Sequence, residues 1–376
     1  MGYLHQEGIK KPSEESSRVR HPYPIREIAR QAGLSEATVD RVLNDRGGVR
    51  ATTARQVRQA ILDLDRQQAQ LRLGGRTFMI DLVMQTPNRF SSAVRAALET
   101  ELPALRPAVV RARFDFRETG PAEDMVAALD RIARRGSHGV ILKAPDVPLI
   151  TAAVERLTQA KIPVVTFVTD LPSSPRVAYV GIDNRAAGAT AAYLIGQWLG
   201  DRPGNVLVTV SSAFFRGEEE REMGFRSAMR ADQPHRSLIE ISEGGGLDAP
   251  MRELVLDALE RDPGISAVYS CGGGNAAAVE AFEELGRAYS VFIAHDLDRD
   301  NTRLLRDGRL SAVLHHDLNQ DMRRACHIIM KAHGALPGGI HSSPSSIQVV
   351  TPYNMPPVGM RAAFGRRNTA ADAIET

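Results

Sequence analysis

The chain has 376 residues, of which 43% are hydrophobic and 24% charged, a composition that favours globular domains over a disordered chain. No run approaches the roughly 18 uninterrupted apolar residues of a membrane span, so the sequence predicts no membrane partner. The net charge of +2 is unevenly placed. Residues 1–76 hold 14 Lys and Arg against 9 Asp and Glu, and the remainder carries a small negative excess. A basic N-terminal segment followed by a slightly acidic remainder indicates that an anionic partner would bind at the N-terminal end.

The first segment, residues 1–22, is polar and is predicted to be a disordered tail. It lacks the apolar core of a signal peptide, which favours a cytoplasmic location. The two cysteines, Cys271 and Cys326, lack metal-ligand spacing and are expected to be reduced thiols.

Residues 23–66 predict a small all-α domain. Pro24 suits the first turn of a helix because its fixed φ fits there and its missing N–H is not needed. One apolar face follows at helical spacing, on Ile25, Ile28, Ala29 and Ala32. Gly33 can end that helix in a left-handed conformation, and Ser35 can cap the next one. Two short helices joined by a glycine turn indicate a helix-turn-helix.

A third helix is predicted over 49–67, where Val57, Ala60, Ile61 and Leu64 repeat at helical spacing. The polar stretch 67–76 ends in Gly74-Gly75 and is predicted to be a hinge or linker.

The order Ile-x-x-Ile-Ala-x-x-Ala-Gly-Leu-Ser-x-x-Thr-Val-x-Arg-Val-Leu-Asn, from Ile25 to Asn44, resembles the start of the LacI/GalR family of bacterial transcription regulators. The match runs over about twenty positions, which makes it far more specific than a bare helix-turn-helix. The alternative is an ordinary helical hairpin in a protein core, which would not need this run of capping and exposed groups.

The resemblance implies that the second helix lies in the major groove of double-stranded DNA. Glu36 and Ala37 would form the variable specificity pair, with Arg41 one turn further on. Positions that hold phosphates match Ser35, Thr38, Asn44 and Thr53, and Leu73 matches a leucine that wedges into the minor groove. Ser35 could instead serve only as a cap, and Glu36 only as a partner of the helix dipole. Because one such module buries little surface, a homodimer on a palindromic operator is expected.

From Thr77 onward, nine short apolar runs alternate with helical segments, which predicts parallel sheets in an α/β domain. The resemblance implies a two-lobed, periplasmic-binding-protein-like fold over 77–355. Chain crossovers are predicted near 181–183, 296–297 and 315–317. Lobe one would then hold 77–182 and 297–315, and lobe two 183–296 and 316–355. Residues 356–376 are predicted to form a second tail.

Ligands of such sheets sit beyond the carboxyl ends of the strands. Candidate residues lie just past the apolar runs or match the family's ligand positions, and they are Asn88, Phe90, Asp170, Arg221, Asn275, Asp296 and His316. Acids, an arginine and planar groups together suit the hydroxyls of a small sugar or polyol. The sequence therefore predicts a ligand-responsive repressor of carbohydrate genes.

Two other functions stay open at this point. A solute-binding protein of a transporter would share the α/β part. The run Gly272–Asn275 with Asp296 fits a dinucleotide-binding fingerprint, which would indicate an NAD-dependent enzyme. The N-terminal module argues against both, so no enzyme activity and no cofactor are predicted. The adjacent His315 and His316 would point to opposite faces of a strand, so no metal is predicted either.

Overall fold

The computed structural model describes residues 22–242 and 244–356. The chain forms two compact units that divide after Gly74, and each is described on its own. Apart from Pro22 and Pro356, the two predicted tails lie outside the described residues. Within the described residues, no helix is long and apolar enough to cross a membrane.

The first unit contains three helices, α1 (Ile25–Ala32), α2 (Glu36–Leu43) and α3 (Ala51–Leu73). Gly33 ends α1 in the left-handed region, with a φ of 64° that suits a residue without a Cβ. The three helices share a small apolar core built from Ile28, Ala29, Val39, Val57, Ala60 and Leu64. The predicted helix-turn-helix therefore forms, closed by a third helix.

The third helix is longer than the predicted 49–67. It continues to Leu73, so most of the segment predicted as a linker, 67–76, is helical. Residues 66–73 consist of Arg, Gln, Ala and Leu, all good helix formers. The helix stops only where Gly74 and Gly75 follow.

The second unit begins with a parallel sheet of five strands in the order β2-β1-β3-β4-β5. The strands are β1 (Thr77–Gln85), β2 (Val109–Arg117), β3 (Gly139–Lys143), β4 (Val164–Phe167) and β5 (Ala178–Val180). The helices between them are α4 (Asn88–Glu101), α5 (Ala122–Arg135) and α6 (Pro148–Gln159), with a short 3-10 helix at Leu102–Leu105. We call this sheet and its helices lobe one.

Lobe two is built on a second sheet of six strands in the order β11-β10-β9-β8-β6-β7. The strands are β6 (Asn205–Thr209), β7 (Leu238–Ile241), β8 (Ile265–Ser270), β9 (Val291–His295), β10 (Ala312–His315) and β11 (Gln348–Val350). Its helices are α7 (Asn184–Leu199), α8 (Arg216–Asp232), α9 (Asp248–Arg261), α10 (Asn275–Glu284) and α11 (Arg299–Arg306). Only β11 runs antiparallel to its neighbour. All nine predicted strands form, and β7 and β11 are additional.

The assignment of residues 297–332 to the lobes was wrong. Residues 297–315 belong to lobe two, because β10 pairs with β9 and the apolar side chains of α11 enter the core of that lobe. The next helix, α12 (Leu318–Ala332), packs on α4, β4 and β5 of lobe one. The chain then returns to lobe two at β11.

Three crossovers therefore connect the lobes, near 181–183, at His316–Asp317 and between α12 and β11. The first and the second were predicted, whereas the predicted crossing at 296–297 does not occur. The first and third crossovers run side by side, since Ile182 forms a β-bridge with Ser345.

Candidate functional site

The outer face of α2 is polar and accessible. Glu36, Ala37 and Arg41 are exposed. The Ser35 side chain caps the helix by accepting a hydrogen bond from the Thr38 backbone N–H at 3.2 Å, and its hydroxyl lies 2.8 Å from that of Thr38. Helix capping thus explains the polar side chains of Ser35 and Thr38 without a DNA contact. The side chains of Glu36, Ala37 and Arg41 are exposed to solvent on the same helix.

The other predicted DNA contacts have different surroundings. Asn44 Nδ2 donates to the backbone oxygen of Asp40 at 3.0 Å and to its carboxylate at 2.8 Å, so this side chain already closes the end of α2. Thr53 is half-buried in the first turn of α3. Leu73 is the last residue of α3 and is buried, so a wedge role requires this end of the helix to rearrange.

A cleft lies between the two lobes of the second unit, where the carboxyl ends of both sheets meet. The space within the cleft, including the part open to solvent, is about 680 Å³. Its polar lining is rich in charge: lobe one supplies Arg89, Glu118 and Lys143, and lobe two supplies Glu218, Arg221, Asp296 and Asp298. A concave site with a few convergent polar groups is the usual form of a small-molecule site.

Arg221, on α8, anchors the floor of the cleft. Its Nε donates to Asn184 Oδ1 at 2.9 Å, and its Nη1 donates to the backbone oxygen of Cys271 at 2.8 Å. Its Nη1 also lies 4.0 Å from Asp296 Oδ2. The second terminal nitrogen, Nη2, is buried without a hydrogen-bond partner among the described residues. The guanidinium is thus held in place with one donor nitrogen unused.

Asp296 follows β9 and lines the cleft with a φ of 65°. Its Oδ1 is buried without a hydrogen-bond partner in the described part of the chain and lies 3.5 Å from His316 Nε2. Burial alone would raise the pKa of Asp296, but His316 and the charge of Arg221 hold that pKa well below its usual range. The carboxylate is therefore ionised and available as an acceptor.

His316 does not line the cleft, contrary to its predicted role as a ligand contact. It is fully buried behind Asp296, and its Nδ1 lies 2.5 Å from Asp321 Oδ2. Burial alone would lower the pKa of His316, yet the two carboxylates raise it to about 9. His316 is therefore a cation at neutral pH that orients Asp296.

Lys143, at the end of β3, was missed in the sequence. Its Nζ donates to the backbone oxygen of Gln85 at 3.2 Å and lies 4.1 Å from the centre of the Phe215 ring. Burial lowers the pKa of Lys143 to about 8. In the sequence, only its position directly after the apolar run Gly139–Leu142 indicates that it could lie in the cleft.

The turn after β1 presents a different residue from those predicted. Phe90 is buried and lines the cleft, but Asn88 is exposed and does not. Arg89, between them, lines the cleft and crosses to lobe two, where its Nε lies 3.1 Å from Asp298 Oδ2. Asn88 begins α4 and faces away, because successive helical residues diverge by about 100°.

Two other predicted ligand residues also have structural partners outside the cleft. Asp170 pairs with Arg176 and accepts hydrogen bonds from Thr166 Oγ1 at 2.7 Å and from a backbone N–H. Asn275 Nδ2 donates to Asn301 Oδ1 at 2.8 Å, and Asn301 in turn donates to the backbone oxygens of residues 295 and 296. Asn275 thus supports the turn that carries Asp296.

The glycines at 272–274 have a packing role. A Cβ on Gly272 would lie 2.6 Å from Glu218 Oε2, and one on Gly273 would lie 1.8 Å from Arg89 Nη2. The run that fits a dinucleotide fingerprint is thus occupied by side chains of this protein. Among residues 22–242 and 244–356, no cluster of His, Cys, Asp and Glu could hold a metal ion.

Two family models match the chain. Residues 24–65 match the bacterial regulatory proteins of the lacI family, and residues 82–333 match a periplasmic binding protein domain. The chain belongs to the LacI family of bacterial regulatory proteins. The resemblance read from residues 25–44 and the two-lobed parallel α/β fold are confirmed. Both matched families consist of regulators and binding proteins rather than enzymes.

Individual relatives match the second unit. The ribose import binding protein RbsB of Salmonella typhimurium is 25% identical over 199 residues, which are 52% of this chain and 66% of RbsB. The chain thus spans just under two thirds of the length of this curated relative.

Solved structures share the fold at lower identity. A glucose-galactose binding protein from Geobacillus stearothermophilus has a TM-score of 0.66 at 19% identity, covering 75% of this chain and 99% of that one. A LacI transcriptional regulator from Bacteroides fragilis has a TM-score of 0.64 at 16% identity, covering 74% and 98%.

Proposed function

We propose that this LacI-family protein is a cytoplasmic transcriptional repressor of carbohydrate uptake or catabolism genes, with a sugar or polyol as its effector. The observation that carries the effector class is the unused Nη2 of Arg221 together with the ionised carboxylate of Asp296, both in the lining of the cleft. A buried polar atom without a partner costs about 1–3 kcal/mol. A ligand with vicinal hydroxyls can accept from the guanidinium, which removes that penalty, and donate to the carboxylate.

A ribose import binding protein that is 25% identical over 199 residues supports this choice. Phe90 and Phe215 line the same cleft and offer flat apolar faces for a sugar ring. The charged groups of the cleft include both cations and carboxylates, which suits a neutral ligand that donates and accepts hydrogen bonds.

We infer that the first unit binds DNA through α2, with Arg41, Glu36 and Ala37 at base edges. Arginine can fork onto guanine, glutamate can accept from cytosine, and the alanine methyl can contact thymine. A single module of this size buries too little surface for useful specificity, so two copies on a palindromic operator are required.

The three crossovers connect the two lobes on either side of the cleft. Effector binding would close the lobes about residues 181–183, 316–317 and the segment before β11. His316 lies at one crossover and forms an ion pair with Asp296, the residue proposed to bind the effector. The same pair of residues therefore links effector binding to the segment about which the lobes would close.

The test is a stabilisation screen of the full chain against pentoses, hexoses, polyols, sugar phosphates and NAD(H). A true effector at about one hundred times its Kd should stabilise the second unit by roughly 2.7 kcal/mol. Asp296→Asn should abolish that stabilisation, while Asp257→Asn, on the exposed face of α9, should retain it.

Selection of bound sequences from a random DNA pool completes the test. An enriched palindrome supports the regulator. A protein that binds sugar but enriches no DNA sequence would be a solute-binding protein instead, and stabilisation by NAD alone would favour the enzyme.

A further inference from the structure

Arg89 bridges the cleft in a way that no sugar contact explains. It lies in the first turn of α4, in lobe one, but in the described part of the chain every hydrogen bond and ion pair of its guanidinium is made to lobe two. Its Nη2 donates to the backbone oxygen of Gly246 at 2.5 Å, and its Nε lies 3.1 Å from Asp298 Oδ2. Its Nη1 lies 3.9 Å from Asp248 Oδ1.

The receiving surface on lobe two is shaped to this side chain. Two glycine loops, 244–247 and 272–274, form the walls of a slot around the guanidinium. A Cβ on Gly273 would lie 1.8 Å from Arg89 Nη2 and 3.0 Å from Arg89 Cζ. A Cβ on Gly246 would lie 3.5 Å from Gly273 N and from Pro87 Cγ. Any side chain at Gly273 would therefore fill the space that Arg89 occupies.

The carboxylate at the end of the slot is well placed to hold the arginine. Asp298 is 7% exposed, and it also accepts a hydrogen bond from the Asn301 backbone N–H at 2.8 Å, as the cap of α11. Hydrogen bonds between ionised partners are about twice as strong as neutral ones. The three contacts of the Arg89 guanidinium span the lobes, so opening the cleft breaks them together.

We propose that Arg89 is a latch whose insertion between the two glycine loops sets the equilibrium between open and closed lobes. Arg89 is thus a positioning residue for the proposed effector response, and the inference rests on that function for its biological meaning. It predicts that the sensitivity of the regulator depends on this contact as well as on the affinity of the effector for the cleft.

Two variants test the latch, one in each lobe. Arg89→Gln removes the guanidinium, and Gly273→Ala blocks the slot without changing any charge. Gly273 does not have a positive φ, so alanine is compatible with its backbone. Arg134→Gln, on the exposed face of α5, removes the same charge at a distance from the cleft and is the control.

Closure can be measured as a distance between spin labels on the two lobes of the full chain. Labels at Glu155→Cys on α6 and Glu260→Cys on α9 occupy exposed positions, while the native Cys271 and Cys326 are buried. Distance distributions are recorded in plain buffer and with D-ribose, D-fructose or myo-inositol.

We expect each latch variant to lower the closed-to-open ratio about tenfold wherever the wild type is partly closed, and Arg134→Gln to leave it unchanged. The double variant should behave like either single variant, because both remove one interaction. Closed fractions equal to those of the wild type, additive effects, or a wild type that is open in every solution would overturn the latch. Failure of the proposed function would appear separately, as an absence of sugar binding or operator selection.

Discussion

Burial and neighbouring charges shift the pKa of His316, behind the cleft residue Asp296, in opposite directions. It is fully buried, yet Asp296 and Asp321 raise its pKa to about 9. The unfolded chain has an ordinary histidine pKa near 6.5. Because the folded state holds the proton more tightly, this group stabilises the fold fully below pH 6.5, and the contribution is lost as the pH rises through about 9.

We therefore expect His316 to contribute about 3 kcal/mol less to the unfolding free energy at pH 10 than at pH 6. Lys143 acts in the opposite direction, because its pKa of about 8 lies below that of a lysine in the unfolded chain, so its deprotonation above pH 8 favours the folded state. Urea titrations monitored by the fluorescence of Trp198, the only tryptophan, measure the unfolding free energy at each pH. The stability that His316→Gln loses relative to the wild type should be largest at pH 6 and disappear towards pH 10, while His341→Gln, at an exposed position, should follow the wild type at every pH. A difference between the wild type and His316→Gln that does not change with pH would show that His316 is not the group that holds the proton.

How far the sequence could locate the cleft also depends on single residues. Strand ends identified the correct edge of each sheet, and Phe90, Arg221 and Asp296 do line the cleft. Asn88 is predicted at this turn because it matches a ligand position of the family, whereas Arg89 is the neighbour that the turn directs into the cleft. His316 is predicted as a ligand contact, but its place behind Asp296 depends on the packing of two crossovers.

Pairs of elements show how tightly the site is held, and the backbones of α7 and α8 pack directly against each other. A Cβ on Gly188 would lie 1.9 Å from the Arg221 backbone oxygen and 2.7 Å from the Phe225 backbone nitrogen. Glycine therefore lets the backbones touch. The same contact positions Arg221, whose side chain also bonds Asn184 at the start of α7.

Gly188→Ala should force α7 and α8 apart, with an overpacking cost of about 1–3 kcal/mol and weaker effector binding. Gly196→Ala, on the same helix, is the matched control: its Cβ would meet only the flexible side chain of Gln233, at 3.4 Å. That variant should be neutral or more stable by up to about 1 kcal/mol. Chemical denaturation and effector titration of both variants measure the difference, and equal effects would contradict the argument.

The two strands that the sequence does not predict, β7 and β11, are short and lie at the two edges of the sheet in lobe two. Each of the nine predicted strands includes a run of apolar residues, which a sequence reveals directly. The strand β7 is only partly buried at the edge of the sheet, and β11 has three residues, one of them exposed. Edge strands carry less apolar surface, so their pattern is weaker.

At the scale of the whole molecule, the spacing of apolar residues predicts where the strands and helices are but does not predict which lobe each of them joins. The prediction placed 297–315 in lobe one and 316–355 in lobe two, and β10 and α12 in fact lie the other way round. Each element buries an apolar face that would suit either lobe. The choice depends on the route of the crossovers, which is a long-range property of the fold.

Closure of the lobes about the same crossovers would couple the binding of operator DNA to the binding of the effector. If closure changes operator affinity, operator must change effector affinity by the same factor, because coupling between two binding equilibria is reciprocal. We expect a factor of about 5–150, measured as effector Kd with and without an operator duplex at fixed salt. A scrambled duplex is the control, and Asp296→Asn should bind operator without responding to effector. An effector Kd that is the same with and without operator would mean that the cleft and the DNA-binding unit act independently.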